Sequence, residues 1–292
     1  MVIPDEMERA NRARALVSPA PCSYASVVRA LVACLAITIA PATARAEAWY
    51  EGENGRSRTV NLIVASGLGA TVLASVIFRD SLQPERCRWC EPPGFDADVR
   101  NALVWDNVNV PRRISDITAT SLPILGVAVN VIPIIADGAT TAEIMDVALP
   151  IAGSLAINQT LTQIAKLAAA RTRPGVYFAP TQGVWDAEDH VSFFSGHTSF
   201  AFAAATSAGM VARQRGSRYE TAIWASGLTL ASLVGYMRIA GDKHYFSDVL
   251  VGAAVGSATG LLVPILMEHD TRSTTSTTLS ADARTISLGG TF

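Results

Sequence analysis

Lys166 stands seven residues before Arg173, and Pro174 follows directly. Ser195, Gly196 and His197 come next, and Arg238, His244 and Asp248 close the set with the spacing Arg-x5-His-x3-Asp. Phosphoryl transfer asks for positive charge around the equatorial oxygens, an in-line nucleophile and an acid for the leaving oxygen. These residue types supply all three. Seven residues are close to two helical turns, so Lys166 and Arg173 fall near one face, and Pro174 disfavours continuation of that helix. Two cations at a helix end hold a phosphate. A long basic side chain can instead snorkel to a membrane surface, a role that suits Arg171 on another side of the same turn. Ser195 and Gly196, just before an apolar stretch, present backbone N–H groups and the positive end of a helix dipole to an anion. His197 titrates near neutrality and can protonate a leaving oxygen. His244 and Asp248 are four apart, so at the start of a helix the carboxylate can reach one ring nitrogen and leave the other lone pair aimed at phosphorus. Asp242 and Lys243 have no place in this scheme and read as solvated loop charges.

In this order and at these spacings, the segments Lys-x6-Arg-Pro, Ser-Gly-His and Arg-x5-His-x3-Asp resemble the three-part signature of the type 2 phosphatidic acid phosphatase superfamily. The resemblance covers roughly residues 160–265. Two positions depart from the family's habit: Phe194 stands where Pro is usual, and Met237 where Ser is common. The resemblance implies that Lys166, Arg173, Arg238 and the N–H groups of Ser195 and Gly196 bind the phosphate. It further implies that His244 attacks phosphorus to form a phosphohistidine, with Asp248 orienting it, and that His197 protonates the departing alcohol. Water then releases phosphate, with His197 acting as base. Fixed cations take the place of metal ions, and no Asp/Glu cluster has metal-ligand spacing, so neither a metal nor another cofactor is expected. The implied substrate is a lipid phosphate monoester or diphosphate. Two alternatives stay open: a soluble-type periplasmic acid phosphatase acting on small phosphomonoesters, and a membrane protein that holds a lipid headgroup without turnover. Mere binding would need only the cations, so the His197, His244 and Asp248 set argues for turnover.

The elements that must position these groups read as helices. Of 292 residues, 50% are hydrophobic and 16% charged, and the mean hydropathy is +0.30, more apolar than an ordinary soluble domain. A net charge of -2 offers no basic footprint for nucleic acid. Residues 1–46 carry Arg9, Arg12, Arg14 and Arg29, then the apolar run 30–40 and the small-x-small triplet Ala44-Arg45-Ala46, the form of a signal or targeting segment. Apolar stretches of spanning length follow at 59–78 and 117–135, with weaker ones at 144–164, 198–211, 221–236 and 249–267, rich in the small residues of closely packed helices. The expected fold is therefore all-α: a bundle of about six membrane-spanning or buried helices over residues 47–267. A flexible tail over 268–292 follows, in which 284–292 can pair as a strand with an earlier piece.

Between the first two stretches, Cys87-Arg88-Trp89-Cys90 reads as a redox centre, half a metal site or a local disulfide. In an exported protein the disulfide is the favoured reading. The stretch 95–105 reads as a short amphipathic helix at the membrane surface. Arg213, Arg215 and Arg218 in the short loop 212–220 place that loop in the cytoplasm, which puts both active-site loops and the Cys pair on the outer face of a bacterial inner membrane. A cleaved signal followed by six complete spans would reverse that orientation.

Overall fold

The computed structural model describes residues 69, 83, 84, 86–179, 188–272, 278–282 and 285–289. The targeting segment 1–46 and, apart from Gly69, the apolar stretch 59–78 lie outside the described residues. Within them the chain forms α1 (Gly94–Leu103), α2 (Asn109–Ala136), α3 (Thr141–Ala169), α4 (Pro174–Phe178), α5 (Gly196–Gln214), α6 (Glu220–Ala240) and α7 (Phe246–Arg272). Two tail strands, β1 (Thr278–Asp282) and β2 (Thr285–Gly289), pair antiparallel with Leu279 opposite Leu288. The fold is a helical bundle. The last helix continues beyond Met267, the residue at which the sequence places the end of the domain.

Helix boundaries follow local chemistry. Thr140 and Glu143 form a capping box that starts α3, each satisfying a backbone N–H that the first turn leaves open. At the other end Ala170 adopts the left-handed conformation at φ 42° and donates its N–H to the Lys166 carbonyl at 3.0 Å. The chain thereby turns out of α3 and into Arg171-Thr172-Arg173. Pro174 then opens α4 at a position where a missing N–H costs nothing.

The central helix is α5, on which α2, α3, α6 and α7 all pack. Its buried positions are almost all Ala, Ser, Thr or Gly, which lets neighbouring backbones come close. Along α7, Gly252, Gly256 and Gly260 recur every four residues against α5. A Cβ at Gly252 would lie 2.8 Å from the Ser195 carbonyl, and Cβ atoms at Gly256 and Gly260 would collide with the Ser199 carbonyl and the Thr206 hydroxyl.

Burial is arranged as a bilayer requires. Asn130, Ser154, Asn158, Thr162, Ser199 and Ser207 are buried, whereas Ile117, Ile124, Ile132, Ile164, Leu250, Leu262 and Leu266 are exposed. Polar side chains face inward and large aliphatic ones outward, the pattern of a membrane protein. Helices α2, α3 and α6, with residues 246–267 of α7, are long and apolar enough to cross a membrane. The stretch 198–211 lies on α5, which the other helices enclose, and its Ala- and Ser-rich surface reflects contact with them.

Candidate active site

Three chain segments meet at one end of this bundle: the exit from α3, the start of α5 and the turn between α6 and α7. Lys166 lies in the last turn of α3. Its ammonium runs beside Gly196, where an added Cβ would come within 3.4 Å of Nζ; the missing side chain makes room for the cation at the helix N-terminus. Arg173 is buried and precedes α4. Its Nε donates to the Glu188 carbonyl at 2.7 Å, and its Nη2 lies 3.4 Å from the Glu188 carboxylate. Arg238, buried in the last turn of α6, donates through Nη1 to Asp116 Oδ1 at 2.9 Å and to Ser115 Oγ at 3.2 Å. Burial above all, then the fields of Arg238, His244, Lys166 and Arg173, push the His197 pKa down to about 2, below the near-neutral titration that the sequence suggests; the same three cations reach His244.

His244 is buried in the loop between α6 and α7. Burial above all, then Arg173, Arg238 and Lys166, hold its pKa well below the ordinary imidazole value, with the Ser192 carbonyl opposing them. The ring is therefore neutral in the folded protein. Nδ1 lies 2.8 Å from the Ser192 carbonyl. A carbonyl only accepts, so the single ring proton sits on Nδ1 and the Nε2 lone pair is left for an electrophile.

Two sequence expectations need correction here. Asp248, expected to reach a ring nitrogen of His244, has its Oδ2 3.7 Å from Nδ1, beyond hydrogen-bond length. That oxygen instead accepts from the Ser192 hydroxyl at 2.6 Å and from the Tyr245 N–H at 3.0 Å. The carboxylate is saturated by closer donors, so it fixes Ser192, and the Ser192 carbonyl fixes the ring. Nor does the Ser195 N–H face an anion, because it donates to the Asp248 carbonyl at 3.0 Å. The Ser195 hydroxyl pairs with Thr198 Oγ1 at 2.8 Å. The N–H groups that a first turn leaves without intrahelical acceptors at this helix end begin at Gly196.

His197 follows Gly196 and its ring is 41% exposed, reaching the mouth of the site. Its Nε2 lies 3.1 Å from Asp116 Oδ1, so one carboxylate oxygen on α2 touches both Arg238 and the candidate acid. No motif includes Asp116; its only sequence signal is a charge directly before an apolar run. Arg171, expected to snorkel, is 1% exposed and pairs with the buried carboxylates of Asp96 and Asp248. Asp242, expected to be solvated, is buried and accepts from Nε and Nη2 of Arg100, at 2.8 and 2.7 Å. Lys243 is partly buried, 3.8 Å from Glu188. The two departures from the family's habit, Phe194 and Met237, are both core residues.

Cys87 and Cys90 are joined as a disulfide, with Cα atoms 5.2 Å apart. This hairpin lies at the site end of the bundle, because Trp89 pairs with Arg171. The arginine loop between α5 and α6 lies at the opposite end. Among the described residues no group of three His, Cys, Asp or Glu side chains is placed to hold a metal ion.

Residues 147–272 match the family model of the PAP2 superfamily. A lipid A 1-phosphatase of Porphyromonas gingivalis is 45% identical over 71 residues, 24% of this chain and 15% of that relative. The matched stretch is thus a small part of the relative's length. Two solved structures are similar in outline. A transmembrane PAP2-type phosphatidylglycerolphosphate phosphatase from Bacillus subtilis is 18% identical at a TM-score of 0.45, over 72% of this chain and 96% of that one. LpxE of Aquifex aeolicus is 24% identical at a TM-score of 0.34, over 54% of this chain and 93% of that one.

Proposed function

We propose, from the premise that the segment 147–272 belongs to the PAP2 superfamily, that this membrane protein hydrolyses a lipid phosphate through a phosphohistidine on His244, without a metal ion. One observation carries the reading: three buried or part-buried cations converge on a neutral imidazole whose proton is held on Nδ1 by the Ser192 carbonyl. A residue that merely held a phosphate would have no need of a fixed tautomer.

In this mechanism Lys166, Arg173, Arg238 and the N–H groups at the start of α5 bind the phosphate oxygens and neutralise charge as it develops. Nε2 of His244 attacks phosphorus, and the P–O bond to the alcohol breaks. The negative charge of the bound phosphate offsets the cations that keep His197 neutral, so that His197 takes up a proton with the substrate, delivers it to the departing oxygen and then accepts one from the water that releases phosphate. Asp248 steadies the nucleophile through Ser192 and Tyr245. The similarity to a lipid A 1-phosphatase over 71 residues, together with a site opening at the ends of membrane-spanning helices, favours a lipid as the leaving group. Because Arg213, Arg215 and Arg218 lie at the far end of the bundle from the disulfide hairpin, the site faces the outer side of the membrane in this reading.

Purified protein in detergent, offered a panel of lipid phosphates and small phosphomonoesters in the presence of a chelator, should release inorganic phosphate, fastest from lipids. An absolute requirement for added divalent metal contradicts the mechanism. No turnover of any phosphate favours a headgroup-binding protein instead.

A further inference from the structure

Behind the nucleophile lies a buried ionic cluster of which this mechanism uses Asp248 alone. The Arg171 guanidinium is 1% exposed, and its Nη2 donates to Asp96 Oδ2 at 2.7 Å. Its Nη1 donates to Asp248 Oδ1 and to the Ser247 hydroxyl at 2.8 Å. Asp96, fully buried on α1, also accepts the Ser247 N–H at 2.9 Å and the Ser247 hydroxyl at 2.6 Å. The cluster thus ties α1, the α3 exit and the first turn of α7 to one another. Two aromatic rings stack on the Arg171 guanidinium. Trp89 lies over the guanidinium at 3.8 Å and Tyr245 at 4.3 Å.

Two carboxylates and one guanidinium withdrawn from water carry a large desolvation cost, which close geometry offsets only in part. A bundle that needed only to be stable would do as well with apolar residues there. What the cluster does provide is a fixed position for Asp248. That carboxylate holds the Ser192 hydroxyl at 2.6 Å, the Ser192 N–H donates to the Arg171 carbonyl at 3.0 Å, and the Ser192 carbonyl holds His244 Nδ1 at 2.8 Å. Arg171 therefore grips Ser192 twice, through its own backbone and through Asp248.

We infer that Arg171, anchored by Asp96, is a positioning residue for the nucleophile, acting on His244 through Asp248 and Ser192, and that the Cys87–Cys90 hairpin is the cover of this relay. The hairpin is strapped to the same strand of chain: the Arg88 N–H donates to the Ala170 carbonyl at 3.0 Å, and the Thr172 N–H to the Trp89 carbonyl at 3.1 Å. Closing Cys87 onto Cys90 holds Trp89 over Arg171 and excludes water from its pair with Asp248. The inference rests on the phosphatase reading.

The test is a single-turnover measurement with enzyme in excess, where an unfolded fraction raises the enzyme concentration needed for half-saturation but leaves the saturating rate constant alone. Arg171→Lys keeps the charge and loses the fork; Asp96→Asn keeps the shape and loses the anchor. In each, the saturating rate should fall about 10- to 100-fold while the enzyme concentration for half-saturation stays within about two-fold, because the phosphate-binding cations are untouched. Trp89→Ala should fall less, by about 3- to 10-fold. An unchanged saturating rate, with any loss confined to the half-saturating concentration, would make the cluster purely structural and overturn the inference. An unchanged rate in Trp89→Ala alone would remove the hairpin from the relay. Absence of turnover in the unaltered protein would instead be a failure of the phosphatase reading.

Discussion

Asp116→Asn offers a test whose sign is unusual for a site built to attract anions, because the native carboxylate opposes phosphate. Asp116 Oδ1 lies 2.9 Å from Arg238 Nη1 and 3.1 Å from His197 Nε2. A phosphate oxygen on the same guanidinium would come within about 5 Å of that carboxylate. At that distance, and an effective dielectric of about 20, two unit charges repel by about 3 kcal/mol. Asp116 is 55% exposed, so solvent screening reduces this to about 1 kcal/mol, or about five-fold in binding. Asparagine keeps an oxygen for the His197 N–H, which leaves the ring aligned while removing the charge. The assay is product inhibition by inorganic phosphate in detergent micelles. The inhibition constant should fall about five-fold, and by less at high salt as the charges are screened. An unchanged or raised constant would refute the placement of the phosphate beside Arg238 and Asp116.

Three further outcomes follow from the geometry. His197→Ala should slow turnover of alkyl phosphates by about 100-fold or more and lose far less on phosphates with good leaving groups, which need little protonation; equal losses on both would remove His197 from the acid role. His244 should make the fold sensitive to acid, because the unfolded ring takes up a proton below about pH 6.5 while the buried ring, its pKa lowered, does not. Stability should therefore decline as pH falls from about 6.5 toward the folded pKa, by at most about 1.4 kcal/mol per pH unit, with no contribution above that range; melting at pH 7.5 and 5.5 should differ more for the unaltered protein than for His244→Gln. Gly256→Ala drives a Cβ into the Ser199 carbonyl and should cost about 2 kcal/mol or more, whereas Gly94→Ala, with nothing within 4 Å, should leave the melting temperature unchanged.

What the sequence made legible were the groups that sit at a fixed spacing on one element or beside a chain turn. Lys166, Arg173, Arg238, His197 and His244 are of this kind, because a helix or a tight loop carries each to the same end of the bundle. The apolar stretches of spanning length likewise announced α2, α3, α6 and α7, since a span must satisfy a length. The central helix α5 was harder to place, because a helix enclosed by other helices needs small residues rather than apolar ones. The rest depends on contacts between distant segments. Asp96 lies 75 residues before Arg171, and Asp116 lies 122 before Arg238; no local pattern records either pairing. Arg171 illustrates the difficulty best. From spacing alone it belongs at the membrane surface, and only the folding of α1 and α7 over it turns it into the most deeply buried cation of the site. The role of Asp248 shifted for the same reason, since Ser192, whose hydroxyl and carbonyl separate it from His244, comes from 56 residues upstream.

The central claim, a covalent phosphate on His244, is tested most directly by trapping. A lipid phosphate labelled with 32P, mixed with the protein in a chelator and quenched in alkali within milliseconds, should leave label on the chain. The bond should survive base and hydrolyse in acid, as a phosphoramidate does, and the label should map to the peptide containing His244 and be absent from His244→Ala. Label retained in His244→Ala would contradict the account, as would turnover with no labelled protein at any quench time.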